Sequence, residues 1–477
     1  MRRNNFQNES MMRSINSRDV IWGYIATGLN LSAGLILLPI VLHYLPSKDV
    51  GLWFVFITLA SFAQILEVGF LSTLTRNTAY IYGGAQSLLH EGLSTEGTAS
   101  ALLNEQLLAD LLAASRTIYR TLAILALIGL LGGGTLYLST LMTGKQDAMY
   151  YYYSWWSFAF GYIVSLYYGY YTAILQGRGD IAKANKITTI TRGSFLIIAT
   201  VCLCLGFGLI GIGAASLLSC IIGRIFSISF YYDSTRPEVT NVRHMPAKPG
   251  RLIKIIWHNS SRLFLVAFST FLIQRASILL ATSFLGLEVT ASYGMTLTIL
   301  ISLTGISTVF LQLHMPRMST LQSQGDYRSI RVLLGETLII GWSTYIILFI
   351  LLLLFGEAIL GFISTKASLL PNYQLLALGL IYFFELNSGI SGGYLTTINR
   401  IPFVLAVFWS GIAIVLTGFF LLAYLDLGVW SLIIAQGAVQ LSYNYWKWFT
   451  EAIRHVGGDL EELLTSGVGR VSLKLKH

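Results

Sequence analysis

The chain has 477 residues, of which 55% are hydrophobic and only 11% charged, with a mean hydropathy of +0.67; soluble domains carry about 25% charged residues. That balance excludes a soluble globular protein, and three Cys with eight Pro exclude a disulfide scaffold, a disordered chain or a collagen-like fibre. The formal net charge of +9 must be located before it can be read as pointing to an acidic partner.

Runs of about 20 apolar residues, enough to cross roughly 30 Å of hydrocarbon as a helix, recur along the whole chain. Twelve are predicted, at 20–42, 50–74, 118–141, 152–175, 189–209, 211–231, 261–283, 290–314, 332–355, 372–396, 401–423 and 426–448. The first follows the polar stretch MRRNNFQNESMMRSINSRD, is too long for a signal-peptide core and lacks a small-residue cleavage site, so it reads as a retained anchor. Glu67, in the second run, is an acid placed in hydrocarbon. Such a group faces a cavity or a partner, so it is a candidate ion-coupling residue or half of an ion pair. The connection 76–117 carries Leu103, Leu107 and Leu111 at helical spacing and reads as an amphipathic cytoplasmic segment on the membrane face.

The fourth run contains 13 aromatic residues between 150 and 171. Tyr150 to Trp156 suit an interfacial belt. Tyr162, Tyr167 and Tyr170 lie deeper and are candidates for contact with sugar, helix packing being the ordinary alternative. Arg224 sits about two turns from the end of the sixth run. Arg275 lies 13 residues, about 20 Å, beyond Arg262, too deep to snorkel easily. A guanidinium there would fork to two oxygens of an anionic group, or complete a buried ion pair. Glu336, five residues past Arg331, reads as an interfacial ion pair. Glu385 in the tenth run is a second ion-coupling candidate. The same run holds Gly389 and Gly393 at GxxxG spacing, which fits close packing or a broken helix.

Assigning the loops alternately to two sides puts 26 of the 31 Lys and Arg on one side and three on the other, leaving Arg224 and Arg275 within runs. The positive-inside rule then places both termini in the cytoplasm, so the basic excess is mainly an orientation signal and no nucleic-acid partner is expected. Two echoes suggest repetition: Tyr44-Leu45-Pro46 through Leu52 with Phe284-Leu285-Gly286 through Met295, and Ala173 to Arg178 with Thr396 to Arg400. Each has an offset of six runs, which predicts two six-helix lobes in parallel orientation. The expected divisions are a tail 1–19, an N-lobe 20–231, a cytoplasmic linker 232–260, a C-lobe 261–448 and a cytoplasmic tail 449–477. No GxxxxGK[ST] loop is present, and the Cys and His residues are not spaced as metal or catalytic sets. No metal, no catalytic residue and no bound cofactor are expected.

His43-Tyr44-Leu45-Pro46 leading to Val50-Gly51-Leu52-Trp53, Leu66-Glu67-Val68-Gly69-Phe70 leading to Arg76, and Leu175-Gln176-Gly177-Arg178-Gly179 leading to Lys183-Ala184-Asn185-Lys186 together resemble the bacterial polysaccharide transporters. These are the O-antigen (lipid-linked oligosaccharide) flippases of the multidrug/oligosaccharidyl-lipid/polysaccharide, or MOP, superfamily. The family usually has Asp where this chain has Glu67. The resemblance implies an all-α polytopic, MATE-like fold with a parallel pseudo-two-fold repeat in the bacterial inner membrane. It also implies alternating access around a cationic central cavity, moving an undecaprenyl-pyrophosphate-linked glycan outward on a proton or sodium gradient. Arg275 and Arg224 would then hold pyrophosphate, Tyr162, Tyr167 and Tyr170 would meet sugar, and Glu67 or Glu385 would carry the coupling ion. The lipid bilayer and other membrane proteins of polysaccharide assembly are the expected partners. Two rivals remain: a cation-coupled multidrug antiporter of the same superfamily, and a membrane-embedded glycan-modifying enzyme.

Overall fold

The structure is a computed structural model, and it describes residues 36–88, 103–144, 147–233, 245–363, 365, 367–398, 402–457 and 459–475, together with Trp22, Leu29, Gly34, Glu238 and Val242. Among these residues regular structure is helical throughout, with no strand. Nine helices among them are long and apolar enough to cross a membrane. The protein is therefore an all-α, multi-pass membrane protein. Most of the first predicted run, and Arg400 of the second echo, lie outside the described residues.

Residues 36–44 are helical and precede α1 (Ser47–Tyr82). The next helix, α2, spans Glu105–Met142 and includes a π-helical segment at Ile128–Gly134. Then come α3 (Ala148–Tyr167), α4 (Tyr170–Gly177), α5 (Ile181–Cys204), α6 (Gly208–Tyr231) and α7 (Gly250–Gln274). The later helices are α8 (Ala276–Leu285), α9 (Leu287–Ser307), α10 (Val309–Gln324), α11 (Tyr327–Ile363), α12 (Asn372–Thr396), α13 (Val404–Tyr424), α14 (Val429–Ser442), α15 (Asn444–His455) and α16 (Leu460–Leu475).

Of the expected amphipathic segment 76–117, residues 89–102 lie outside those described, and from Glu105 onward it is part of a spanning helix. Asn104 caps α2, its side chain accepting from Leu107 N at 2.9 Å. The helix then runs unbroken through Leu108, Leu111, Leu112, Ser115 and Ile118, all buried, into the third apolar run. Where the sequence left a break in the tenth run open, α12 is continuous and Gly393 packs against Leu311. The breaks fall elsewhere, at Tyr168–Gly169, Arg275, Thr308 and Tyr443.

The chain divides into two compact units. Unit 1 comprises Met1–Leu45 and Phe56–Phe268, and unit 2 comprises Pro46–Val55 and Ser269–His477. In unit 1, α3 meets α6 through small residues: a Cβ on Gly161 would stand 2.9 Å from the Ser216 carbonyl oxygen, and one on Gly213 2.5 Å from that of Ser154. This is the close backbone approach that drives helix association in lipid. Arg178, 0% exposed, closes the end of α6. Its Nη1 and Nη2 donate to the carbonyls of Tyr231 (3.2 Å) and Phe230 (3.0 Å), and its Nε to Asp180 Oδ2 (2.7 Å). Lys183 Nζ reaches Asp233 beside it at 2.5 Å. Arg178 and Asp180 thus make the buried centre of a brace within the Gln176–Lys186 string, whose lysines are part-exposed.

In unit 2 the two connectors of the first sequence echo meet each other. Gly51 sits against the Leu287 carbonyl, and a Cβ on Gly294 would stand 2.7 Å from the Phe54 ring. Lys48 and Glu288 pair across them at 3.9 Å. Gly286 makes the one-residue turn between α8 and α9 with φ +84°, a conformation that disfavours any side chain. At the other end of the unit α16 lies on α11, with Gly335 and Gly467 backbone to backbone. Glu336, 0% exposed, pairs there with Arg470 at 3.1 Å, whereas the sequence had suggested Arg331. Arg331 instead pairs with Glu462 and donates to the Val456 carbonyl at the end of α15.

Candidate functional site

Unit 1 contains a cavity of about 440 Å³ whose wall takes one face from each of several helices. From α1 come Ala63, Gln64, Glu67, Val68 and Leu71, and from α5 come Ile187, Thr188, Thr191, Arg192 and Phe195. Each set follows i, i+1, i+4, i+5, i+8, a single helical stripe. From α6 come Ser216, Ser219, Cys220 and Arg224, while α3 and α4 supply Tyr162, Ser165, Leu166 and Thr172. The wall therefore carries two guanidinium groups, one carboxylate and a collar of hydroxyls.

Arg224 is held by that collar. Its Nη2 donates to Ser165 Oγ at 2.6 Å and its Nη1 to Thr172 Oγ1 at 3.4 Å, one partner on each side of the α3/α4 break. The break also makes room for Glu67. A Cβ on Gly169 would collide with Glu67 Oε1 and approach Tyr119 Cε1 to 2.8 Å. Glu67, Arg224 and the buried Tyr119 interact electrostatically, and the Tyr119 hydroxyl has no hydrogen-bond partner among the described residues. At the far side Gly223 lies against the Thr191 side chain, so the helix carrying Arg192 approaches the helix carrying Arg224 with only that side chain between them.

Unit 2 holds a second acid, arginine and tyrosine cluster. Glu385 on α12 faces Tyr445 and Gln274, while its Oε2 lacks a hydrogen-bond partner among the described residues. Arg275 occupies the break between α7 and α8, with φ −126°, and acts electrostatically on Tyr382 one turn from Glu385.

Of the residues singled out in the sequence, Glu67, Arg224 and Tyr162 come together in the unit-1 cavity, while in unit 2 Glu385 and Arg275 each act electrostatically on Tyr382. Tyr167 is 41% exposed and Tyr170 is buried against Tyr119 and Tyr171, so neither lines the cavity. Sequence reasoning missed Arg192, which it counted as a loop charge beside Lys183 and Lys186. The available signal was the polar stripe Thr188, Thr191, Arg192 on a helix, 11 residues beyond its start at Ile181. Tyr119 and the Gly169 break were missed as well.

The sequence matches no known protein-family model and no curated protein. Solved structures do share its fold. One, an inward-facing multidrug-resistance MATE family transporter of the MOP superfamily, aligns with a TM-score of 0.65 at 13% identity, over 90% of this chain and 94% of that one. A second, the MATE multidrug transporter DinF-BH with a bound ligand, aligns with a TM-score of 0.59 at 14% identity, over 95% and 97% of the two chains. A third, a MOP superfamily transporter from Pyrococcus furiosus whose binding pocket is described as having reverse polarity, gives 0.54 at 14% identity, over 94% and 96%. The chain therefore has the MATE-like fold of the MOP superfamily transporters.

Proposed function

We propose that the chain is an ion-driven secondary transporter of the bacterial inner membrane working by alternating access, and that its cargo is an anionic, hydroxyl-rich amphiphile: an undecaprenyl-pyrophosphate-linked oligosaccharide moved to the outer leaflet. One observation carries the choice of cargo. The unit-1 cavity sets two guanidinium groups against one carboxylate among hydroxyls and a tyrosine, a chemistry suited to phosphate and sugar rather than to an organic cation. The lipid tail can stay in the bilayer beside the protein. The short resemblance motifs support the same reading.

The solved relatives favour a second reading, a cation-coupled multidrug antiporter, and on their names alone it is the better supported. Glu67 and Glu385 would then be the acids that exchange cation for proton or sodium. A glycan-modifying enzyme draws no support from relatives that are transporters by name.

Deleting the gene and measuring lipid-linked oligosaccharide on the cytoplasmic side separates the two. Accumulation that wild type reverses and Arg224→Gln, at equal expression, does not is the expected result. Protein-dependent extrusion of a cationic dye that Arg224→Gln leaves intact, with no accumulation, would establish the antiporter instead.

A further inference from the structure

Two cavities, of about 530 Å³ and about 310 Å³, open along α12 in unit 2. The first lies between α11 and α12, the second where α12 and α11 meet α14, α15 and α16, and Phe383 lines both. Apart from Asn387, every lining residue is apolar or aromatic. The floor is a strip of rings, Phe349, Tyr345, Phe383, Trp342 and Phe449, with successive centroids 5.9, 6.0, 6.0 and 6.5 Å apart. Gly379 makes room for the strip, since a Cβ there would collide with the Phe349 ring, and the Tyr345 hydroxyl donates to the Gly379 carbonyl at 2.8 Å. Along the rims Ile346, Leu376, Leu380 and Leu441 are half-exposed. Both α11 and α12 are long and apolar enough to span the membrane, so the medium that meets this groove is hydrocarbon.

The groove follows α12 from Leu376 to Asn387, eleven residues or about 17 Å. That is close to half of the roughly 30 Å hydrocarbon core, the depth of one leaflet. One acyl chain fills it end to end, whereas a much longer polyprenyl tail would overrun it. The groove closes at Trp446 on α15 and Leu460 on α16. Trp446 is half-exposed near the end of the twelfth apolar run, as suits a ring at headgroup level. Of the charges there, Lys447 pairs with Glu451 at 3.2 Å and Arg331 with Glu462. Arg454 is exposed two turns beyond Trp446 on the same face of α15, and Asp459 and Glu461 are exposed on either side of Leu460. The mouth thus presents one cation and two acids side by side.

We propose that this groove holds one acyl chain of a bilayer phospholipid whose headgroup carries both a phosphate and a free ammonium, the phosphate meeting Arg454 and the ammonium meeting Asp459 or Glu461. The two acids repel a purely anionic headgroup, and a quaternary amine offers them no N–H. Tyr445 lines the second cavity and faces Glu385, so the bound chain packs against the acid cluster of unit 2 through that ring. The site is independent of the cargo.

The full-length protein, stripped of lipid in detergent, is titrated with phosphatidylethanolamine, phosphatidylglycerol or phosphatidylcholine of identical chains, and bound lipid is counted by native mass spectrometry. One phosphatidylethanolamine should be retained at a concentration about tenfold lower than either other lipid requires. Ala377→Trp, which fills the first cavity, should lose it, and Arg454→Gln should raise its midpoint several-fold. Leu354→Trp, on the exposed face of α11 outside the groove, should bind as wild type does. Retention by Ala377→Trp equal to wild type overturns the groove, and equal midpoints for the three lipids overturn the headgroup assignment. Displacement of the phospholipid by a prenyl phosphate at lower concentration overturns it in favour of the cargo's own tail, and a lipid-free dimer in favour of a second copy of the chain. If Ala377→Trp does not fold, the wild type decides. Phosphatidylethanolamine with a photoactivatable diazirine on its chain should label residues 345–350 and 376–383, and the unlabelled lipid should block this. Labelling that is spread evenly along α11, or is not blocked, overturns the site.

Discussion

Gly169 is the residue on which the unit-1 cavity turns. It stands just past the break between α3 and α4 in ordinary helical conformation, and its missing side chain leaves space that the Glu67 carboxylate fills. A methyl group there has to push Glu67 toward Arg224 or tilt α4. Gly169→Ala is therefore expected to abolish transport while lowering stability by only about 1–3 kcal/mol, the ordinary cost of overpacking. Gly193→Ala, with nothing within 4 Å of the added carbon, should transport normally; transport assays and melting curves at matched expression check both, and an active Gly169→Ala would remove the cavity from the mechanism. Arg178 has the opposite character. Replacing it with Leu strips the last carbonyls of α6 of their donors and takes the guanidinium away from the buried Asp180, which should cost about 3–5 kcal/mol and lower the melting temperature steeply. In the sequence Arg178 looked like one more loop charge. Nothing local distinguishes a solvated arginine from one that caps a distant helix, because the carbonyls it satisfies lie 52 and 53 residues away.

The elements were legible as apolar runs, since lipid imposes length and composition on any spanning helix. Their interruptions were not. The break at Arg275 and the one at Tyr443 carry neither Gly nor Pro, so the chain gives no local warning of them. The Tyr443 break turns α14 into α15, whose last residue, His455, lies outside the spanning segments and has its Nδ1 2.7 Å from the Tyr394 hydroxyl of α12. Partial burial holds the His455 pKa below its ordinary 6.5, with the Glu451 charge opposing. The unfolded chain then takes up a proton before the folded one does, so stability due to this residue is complete above about pH 6.5 and is lost as pH falls through the lower folded value. Melting temperature should thus fall between pH 7 and pH 5 more steeply in wild type than in His455→Gln. Equal slopes would show that docking of α15 on α12 does not depend on the neutral imidazole.

At the scale of the whole molecule, charge is sparse enough for its distribution to be informative. The loop count set 26 basic residues against three, and the structure requires that count to be trimmed: Arg178 caps a helix and Arg192 lines the cavity. Removing both still leaves 24 against three, an asymmetry of the same sign. It survives because the rule counts many flanking charges, whereas the site depends on a few whose depth only packing decides. The resulting prediction is that both termini face the cytoplasm. A fluorescent protein fused after His477 should be bright and alkaline phosphatase at the same point inactive, with phosphatase active when fused in the turn at Gly144. The reverse pattern would place outside the ends of α5 and α6 nearer Arg192 and Arg224, where a cargo assembled in the cytoplasm could not first meet them, and would remove outward transport of a cytoplasmic lipid-linked glycan together with the topology.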